Sequence, residues 1–245
     1  MSVGARLDQA LVAAGLADSR TEAQALVAAG RVTVDGAAAD KPARRVGPAA
    51  ALAVAEGPRW ASRAALKLLH ALDVFGLDPT GVRALDLGAS TGGFTDALLA
   101  RGAATVTAVD VGRGQLHPRL AADPRVRPLE GVDARALPDG LAEGADWIVA
   151  DLSFISATKA LGPALAAAPS GATLTLLVKP QFEAGPEAVG RGGIVRDPAA
   201  RAAACDSVRA FVAAAGWRVL GVVESPVTGG DGNVEYLLAA RKAAA

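Results

Sequence analysis

The residue best suited to chemistry in this chain is a lysine that ends an apolar segment. Lys179 directly follows Ala172–Val178, the most apolar strand-like run of the sequence. An ammonium group at the end of a buried strand is costly to desolvate unless the protein makes use of it. The carboxyl ends of strands are also where ligands bind in an open α/β sheet. We therefore predict that Lys179 is a catalytic amine.

A second segment, residues 85–96, reads LDLGASTGGFTD and predicts a strand, a glycine-rich turn and the start of a helix. Residues 88–92 match the G-x-S-x-G pattern of a hydrolase nucleophile, which needs a histidine late in the chain. The only histidines are His70 and His117, so this interpretation fails. A dinucleotide-dependent oxidoreductase needs G-x-G-x-x-G, and Ser90 stands at the position of its second glycine.

The third interpretation of the turn, S-adenosylmethionine binding, agrees with three aspartates after successive predicted strands. Asp86 precedes the turn and can face the cationic methionine end of the cofactor. Asp110 ends the next strand, where it can accept both ribose hydroxyls, and Asp133 follows the third strand, near the adenine edge. Glycines in the turn let the backbone approach closely. The predicted cofactor-binding residues are Asp86, Gly88, Ser90, Gly92, Gly93, Phe94, Asp110, Val111, Asp133, Ala134 and Asp151.

Strands that alternate with helices must position these residues. After a helix over Ala64–Val74, the hydrophobic pattern predicts helices at Thr95–Ala100, Ala157–Ala167 and Pro198–Ala215. The predicted strands are Arg83–Leu87, Thr105–Val109, Val126–Leu129, Trp147–Ala150, Ala172–Val178, Trp217–Val223 and Val234–Ala239. This order predicts an α/β fold with a doubly wound, mostly parallel, Rossmann-like sheet, in which the last strand can be antiparallel.

A small α+β domain is predicted before this sheet. Two short helices, Arg6–Ala14 and Ser19–Ala29, are followed by strands at Arg31–Val34 and Ala51–Val54. Ser19 and Glu22 fit a capping box, Gly30 fits a helix C-cap and Asp35-Gly36 fits a hairpin turn. We therefore predict a first domain over residues 1–56, a linker over 57–61 and a second domain over 62–245.

Composition sets bounds on the class of protein. The 25 basic and 25 acidic residues give zero net charge, but residues 41–67 hold six basic residues against one acidic residue. That stretch is compatible with phosphate contacts, and also with a solvated linker. Cys205 is the one cysteine, and no apolar run reaches the ~18 residues of a membrane span. We predict a cytoplasmic protein without a membrane segment, a secretory signal or a metal site.

Three segments of the first domain are residues 6–8 (RLD), 19–23 (SRTEA) and 30–36 (GRVTVDG). Together they resemble the small RNA-binding domain named after ribosomal small-subunit protein S-four. The resemblance implies that this module grips structured RNA through its arginines. Such contacts position RNA without choosing a sequence. The alternative is a helical cap that stabilises the larger domain. The predicted RNA-binding residues are Arg6, Arg20, Arg31, Arg44, Arg45, Arg59 and Arg63.

Four residues stand out: Lys67, Asp151, Lys179 and Glu235. Together with residues 86–88 (DLG) and 177–183 (LVKPQFE), they resemble the FtsJ-type ribose methyltransferases. Residues 62–67, 150–156, 192–198 and 232–236 extend the resemblance to the TlyA-type (haemolysin A-like) group, which adds the RNA-binding module. It implies that the four residues are catalytic, that S-adenosyl-L-methionine is the cofactor, and that a cytidine in ribosomal RNA or a ribosomal subunit is the target. The chain departs from the group at residues 229–230 and in its alanine-rich tail.

The implied chemistry explains the residue types. A ribose hydroxyl becomes a good nucleophile only as its proton is removed, and a free lysine with a pKa of about 10.4 is mostly protonated. Burial and a second ammonium would lower the pKa of Lys179, whereas Asp151 and Glu235 would oppose that shift. The alternatives are two structural ion pairs, an inactive cofactor-binding protein, a small-molecule methyltransferase and a membrane-active haemolysin. No motif encodes which ribosomal RNA is modified.

Overall fold

The computed structural model describes residues 4–17, 19–28, 30–39, 41–55 and 60–244. It divides into two compact units, Met1–Arg63 and Ala64–Ala245. Residues 56–59, which include most of the predicted linker, lie outside the described ranges, so the predicted domain boundaries stay a prediction.

Two short helices and five short strands are found in the described part of the first unit. Its elements are β1 (Ala5–Arg6), α1 (Leu7–Ala13), α2 (Arg20–Ala28), β2 (Val32–Val34), β3 (Ala37–Ala38), β4 (Arg45–Val46) and β5 (Leu52–Val54). Strand β2 pairs antiparallel with β3 and β5, and β1 pairs with β4. Leu7, Leu11, Leu26 and Val32 belong to the core of this unit. The strands β1, β3 and β4 are additions to the predicted elements.

Local signals in the first unit are confirmed. Ser19 Oγ accepts a hydrogen bond from Glu22 N at 3.1 Å, as expected for a residue that caps α2. Asp35 and Gly36 have φ values of 53° and 78°. Positive φ at both central residues is typical of the tight turn that joins β2 to β3. Gly30, with φ of 67°, ends the helical segment as predicted.

The second unit is a seven-stranded sheet with helices. Its elements are α3 (Ala64–Phe75), β6 (Arg83–Leu87), α4 (Gly93–Ala100), β7 (Thr105–Asp110), α5 (Pro118–Ala121), β8 (Val126–Glu130), β9 (Trp147–Ala150), α6 (Ala157–Ala160), α7 (Gly162–Ala167), β10 (Thr173–Val178), α8 (Pro180–Glu183), α9 (Pro198–Ala214), β11 (Trp217–Glu224) and β12 (Tyr236–Lys242). The strand order is β11-β12-β10-β9-β6-β7-β8. Within this described sheet β12 alone has the reverse direction, since it pairs antiparallel with β10 and β11 whereas the other pairs are parallel, so the predicted fold class is confirmed.

One predicted helix is wrong in its extent. The segment Ala157–Ala167 forms two separate helices, α6 and α7, which meet at Leu161. Pro163 lies in the first turn of α7 and lacks the backbone N–H that a continuous helix would need at this position. Because the segment is rich in alanine, its hydrophobic periodicity gives no sign of this break. The single-turn helices α5 and α8 were also not predicted.

The strand register brings the candidate residues to one edge of the sheet. Leu87 lies beside Ala150, Ala150 beside Leu176, and Val178 beside Tyr236. The residues that follow β6, β9 and β10, and the residue that precedes β12, therefore share this edge. Strands β9 and β10 are buried along their whole length, which fixes the edge rigidly.

Candidate active site

Lys179 is the buried amine of the site. It follows β10 directly and is 8% exposed. Its Nζ lies 2.7 Å from Asp151 Oδ1 and donates a hydrogen bond to Ser153 Oγ, also at 2.7 Å. Asp151 Oδ1 accepts no hydrogen bond of good geometry from any described residue, so its contact with the amine is ionic. The ion pair with Asp151 and the hydrogen bond to Ser153 together hold the amine.

A second buried ion pair joins Lys67 to Glu235. Lys67 lies on α3 and Glu235 directly precedes β12, and Nζ and Oε2 are 2.5 Å apart. The two side chains are 9% and 3% exposed. Lysine and glutamate are almost never buried to this extent unless they are paired. The four predicted catalytic residues thus form two lysine–carboxylate pairs within the second unit.

The loop that carries Glu235 is fastened by an asparagine that sequence reasoning missed. Asn233 is buried, accepts a hydrogen bond from Val195 N at 3.0 Å and donates one to Gly193 O at 2.9 Å. At Gly229, an added Cβ would lie 2.6 Å from Glu235 Oε1. The signal available in the sequence was the pair of segments 192–198 and 232–236, which had no assigned role.

A cavity of about 550 Å³ opens beside the ends of β6, β7 and β9. Seven of the predicted cofactor-binding residues line it: Gly88, Ser90, Asp110, Val111, Asp133, Ala134 and Asp151. Val111 is 72% exposed, which is unusual for a large apolar side chain and leaves an apolar surface available to a ligand. Sequence reasoning missed several further lining residues: Gln115, Arg135, Leu152, Ser153, Phe154 and Ile155.

The carboxylate of Asp110 is held in place by the turns around it. Ser90 N donates to Oδ2 at 2.8 Å, and Gly112 N donates to Oδ1 at 2.7 Å. Each oxygen keeps a second lone pair for a further donor. Asp133 is held differently, since Arg135 Nη2 lies 2.5 Å from its Oδ2 and lowers the pKa of Asp133 to about 2.

Asp86 is a fully buried carboxyl group with one unsatisfied oxygen. Its Oδ2 accepts a hydrogen bond from Thr95 Oγ1 at 2.6 Å, whereas Oδ1 has no hydrogen-bond partner among the described residues. Burial raises the pKa of Asp86 to about 7, and the Thr95 hydrogen bond opposes this shift. A buried oxygen without a donor is costly, so this atom fits a donor or a cationic group that the chain itself does not supply.

The glycines of the turn serve close packing. Gly88 has a φ of 82°, and an added Cβ would lie 2.7 Å from Asp151 O, so only glycine lets the turn approach the end of β9. At Gly92, an added Cβ would collide with side chains from the α5 region. Gly93 and Phe94 are buried in α4 and do not line the cavity.

Phe154 is the most unusual residue of the cavity wall. It is 91% exposed and has a φ of 64°, a left-handed conformation that is rare for a bulky residue. Its ring centroid lies 5.5 Å from that of Phe182. Strained and exposed residues of this kind cluster at ligand sites.

In the first unit, a buried aspartate holds two of the predicted RNA-binding arginines. Asp8 is fully buried and accepts hydrogen bonds from Arg6 Nε and Nη2, Arg20 Nη2 and Gln24 Nε2, at 2.9–3.1 Å. The hydrogen bond from Arg6 is the main cause of a pKa of Asp8 far below its usual value. The side chains of Arg6 and Arg20 keep 35% and 54% exposure.

Two of the other predicted arginines bind backbone atoms. Arg31 and Arg45 each donate to a backbone carbonyl. Arg44 is exposed, Arg63 is half-buried, and Arg59 lies outside the described residues.

Among the residues that the structure describes, no cluster of three or more His, Cys, Asp or Glu side chains could hold a metal ion. No helix among them is both long enough and apolar enough to cross a membrane.

Comparison with protein families accounts for both units. The family described as FtsJ-like methyltransferase matches residues 60–242, and the S4 domain matches residues 5–51. The first match spans most of the chain. The chain belongs to the FtsJ-like methyltransferase family. The sequence-based prediction of a methyltransferase is therefore confirmed, and the hydrolase and oxidoreductase interpretations are excluded.

Several relatives resemble this FtsJ-like methyltransferase over nearly its whole length. The 16S/23S rRNA (cytidine-2′-O)-methyltransferase TlyA of Mycobacterium tuberculosis is 48% identical over 241 residues, which are 97% of this chain and 90% of the relative. Hemolysin A of Brachyspira hyodysenteriae is 36% identical over 95% of this chain and 98% of the relative. A solved structure of a hemolysin candidate from Streptococcus thermophilus has a TM-score of 0.74 and 40% identity, and covers 99% of this chain and 90% of its own.

The arrangement in this FtsJ-like methyltransferase suits proton removal beside a ligand cavity. Asp151 both lines the cavity and contacts Lys179 Nζ, so the amine lies next to the space that a cofactor would occupy. Both amines and Glu235 are buried, whereas Asp151 keeps 18% exposure at the cavity. A preorganised group of this kind can hold a reacting hydroxyl, and a lysine in its neutral form can take the proton without large rearrangement.

Proposed function

We propose that this chain transfers a methyl group from S-adenosylmethionine to the 2′-hydroxyl of a cytidine in ribosomal RNA. The observation that carries the proposal is the Lys179–Asp151 pair, a buried amine at 2.7 Å from a carboxylate that lines the cavity. The name of the Mycobacterium tuberculosis relative, at 48% identity, supports the cytidine ribose as the target. The proposed partner is ribosomal RNA or a ribosomal subunit, and the proposed location is the cytoplasm.

The cavity residues fit the proposed cofactor. When bound, S-adenosylmethionine supplies an electrophilic methyl group on a sulfonium. Asp110 would accept hydrogen bonds from the ribose hydroxyls with the second lone pair of each oxygen. Asp86 is fully buried and does not line the cavity, but its Oδ1, which has no hydrogen-bond partner among the described residues, would still favour a cationic group nearby. Val111 would contribute apolar contact.

Lys179 would act as the base. As a neutral amine, its Nζ would accept the proton of the ribose 2′-hydroxyl while the oxygen bonds to the methyl carbon, the carbon–sulfur bond breaks and a neutral thioether leaves. The ammonium that forms is stabilised by Asp151 at 2.7 Å and stays aligned through Ser153 Oγ. Lys67 and Glu235 form the second pair at the same edge of the sheet. They would orient the hydroxyl and balance the charge that develops.

The first unit would capture the RNA. Arg6 and Arg20 are fixed by one buried carboxylate, yet both keep exposed guanidinium surface for phosphate oxygens. Phosphate contacts position the RNA and confer no choice of sequence. Target choice would then depend on the shape of the RNA and on contacts near the cavity.

The test maps ribose methylation in cells. Ribosomal RNA is prepared from a strain that lacks the gene and from the same strain complemented with the wild type or with Lys179→Ala. A 2′-O-methyl group blocks alkaline cleavage of the adjacent phosphodiester, so modified positions appear as protected sites. We expect protection at one or more cytidines with the wild type and none with the variant. Methylation of a base atom, or an identical pattern in all strains, would contradict the proposal.

A further inference from the structure

Several contacts join two segments of the site. The first, residues 151–157, follows β9, and the second, residues 179–183, follows β10. The contacts are Lys179 Nζ to Ser153 Oγ at 2.7 Å, the ring pair Phe182–Phe154 at 5.5 Å, Ser156 Oγ to Glu183 Oε2 at 2.6 Å, and Ala157 N to Glu183 Oε1 at 2.7 Å. Both oxygens of Glu183 therefore bind the first segment.

Glu183 and Lys179 are carried by the same helical turn. Lys179 directly precedes α8 and Glu183 is its last residue, so the two are four positions apart and lie on the same side of the turn. Pro180, at the first position of α8, starts the helix immediately after the lysine. The turn thus links the position of the Glu183 carboxylate to that of the Lys179 amine.

The backbone of residues 151–157 needs contacts from outside the segment to hold its conformation. Phe154 holds a left-handed backbone conformation, which persists only where the surroundings enforce it. On its carboxyl side the segment ends in α6, which has four residues and few internal hydrogen bonds. Glu183 binds Ser156, which caps α6, and Ala157, the first residue of that helix. On the other side of Phe154, Ser153 is bound by Lys179.

From these contacts we propose that Glu183 is a positioning residue for methyl transfer. Its carboxylate fastens residues 151–157 to α8 and so keeps Ser153 and Asp151 in place against Lys179 Nζ. This inference rests on the proposed role of Lys179 as the base. The competing interpretation is that Glu183 only caps α6 and has no effect on the reaction.

The test compares Glu183→Ala, Glu183→Gln and the matched control Glu187→Ala in the full-length protein. Glu187 is an exposed carboxylate in the turn that follows α8. Amide hydrogen exchange of residues 152–160 should be at least about tenfold faster in Glu183→Ala, since two hydrogen bonds to a charged acceptor are lost. It should not change in Glu187→Ala. Exchange in β6 is followed in parallel, so that global destabilisation is recognised.

Turnover provides the second readout. In Glu183→Ala, kcat should fall at least about tenfold while KM for S-adenosylmethionine changes less than about threefold. Glutamine can replace both contacts, so Glu183→Gln should keep kcat within about threefold of the wild type. Unchanged exchange at residues 152–160, or unchanged kcat in Glu183→Ala, would overturn the proposal. Loss of kcat in Glu183→Gln with normal exchange would also overturn it. Failure of the proposed function would appear instead as an inactive wild type, and the exchange measurement would still be informative.

Discussion

Removing one partner of the Lys67–Glu235 pair should destabilise the protein strongly. The two side chains are 9% and 3% exposed, and their charged atoms lie 2.5 Å apart. Breaking a buried pair costs about 3–5 kcal/mol, because the remaining charge is left buried without compensation. In a domain of this size each 1 kcal/mol lowers Tm by about 2–4 °C. We therefore expect Lys67→Met and Glu235→Leu each to lower Tm by about 6–20 °C.

The double variant should separate stability from catalysis. Replacing both partners of a buried ion pair by apolar residues of similar volume is often neutral or stabilising. Lys67→Met/Glu235→Leu should therefore return to within about 4 °C of the wild-type Tm. Its methyl-transfer rate should stay at least about 100-fold below that of the wild type, the scale of removing an electrostatic stabiliser from an active site.

Thermal unfolding and single-turnover methylation of ribosomal subunits, measured on all four proteins, test this pair of expectations. Calorimetric binding of S-adenosylmethionine to each protein serves as a control for an intact cavity. If the double variant regained activity together with stability, Lys67 and Glu235 would be a structural ion pair and our catalytic assignment would be refuted. Single variants with the wild-type Tm would refute the stability argument instead.

Further predictions concern the base, the cofactor carboxylates and the RNA contacts. Lys179→Ala and Lys179→Arg should both slow methyl transfer at least about 100-fold, and the arginine variant should lose the rise of rate with pH, because a guanidinium accepts no proton near neutrality. Asp110→Ala should weaken S-adenosylmethionine binding by about 1–3 kcal/mol in calorimetry, and unchanged affinity would remove it from the site. Because burial raises the pKa of Asp86 to about 7, its neutral form favours the folded state, and this contribution is lost as pH rises from about 4 through about 7. Denaturant unfolding should therefore show a smaller loss of stability over that range in Asp86→Asn. Arg6→Gln and Arg20→Gln should each lower the salt slope of RNA affinity by about one, and an unchanged slope would exclude that phosphate contact.

The sequence predicted the strands that carry the site, because a strand is indicated by a local run of apolar residues. The bounds of β6 and β9 match their apolar runs, and residues at strand ends could be assigned to one edge from the parallel order alone. The pairing of the charged groups could not be predicted from the sequence. Lys67 and Glu235 are 168 positions apart, and nothing local in the chain indicates that they are partners.

Residues whose side chains hold loops in place could not be predicted from the sequence, for a physical reason. Asn233 and Glu183 bind backbone atoms or a hydroxyl of distant segments, and these partners leave no mark in the residue types. The positive φ of Phe154 is also a tertiary effect, since a phenylalanine gives no local signal for it. Phe94 shows the opposite case: its place after a glycine-rich turn suggested a ligand contact, but it lies buried in α4 away from the cavity lining, so its role stays a prediction.

The sheet order has a consequence for biosynthesis. Strand β12 lies between β10 and β11, yet it is made after both. Until β12 inserts, β10, whose residues are all buried in the folded protein, has an open edge on that side, and such edges pair readily with other chains. At ~5–20 residues per second, the stretch from β10 to the end of β12 takes roughly 3–13 s to synthesise. Glu235 directly precedes β12, so its contact with Lys67 forms only when this last strand is seated. A nascent chain therefore passes through an aggregation-sensitive interval first and acquires the Lys67–Glu235 pair only after β12 has been made.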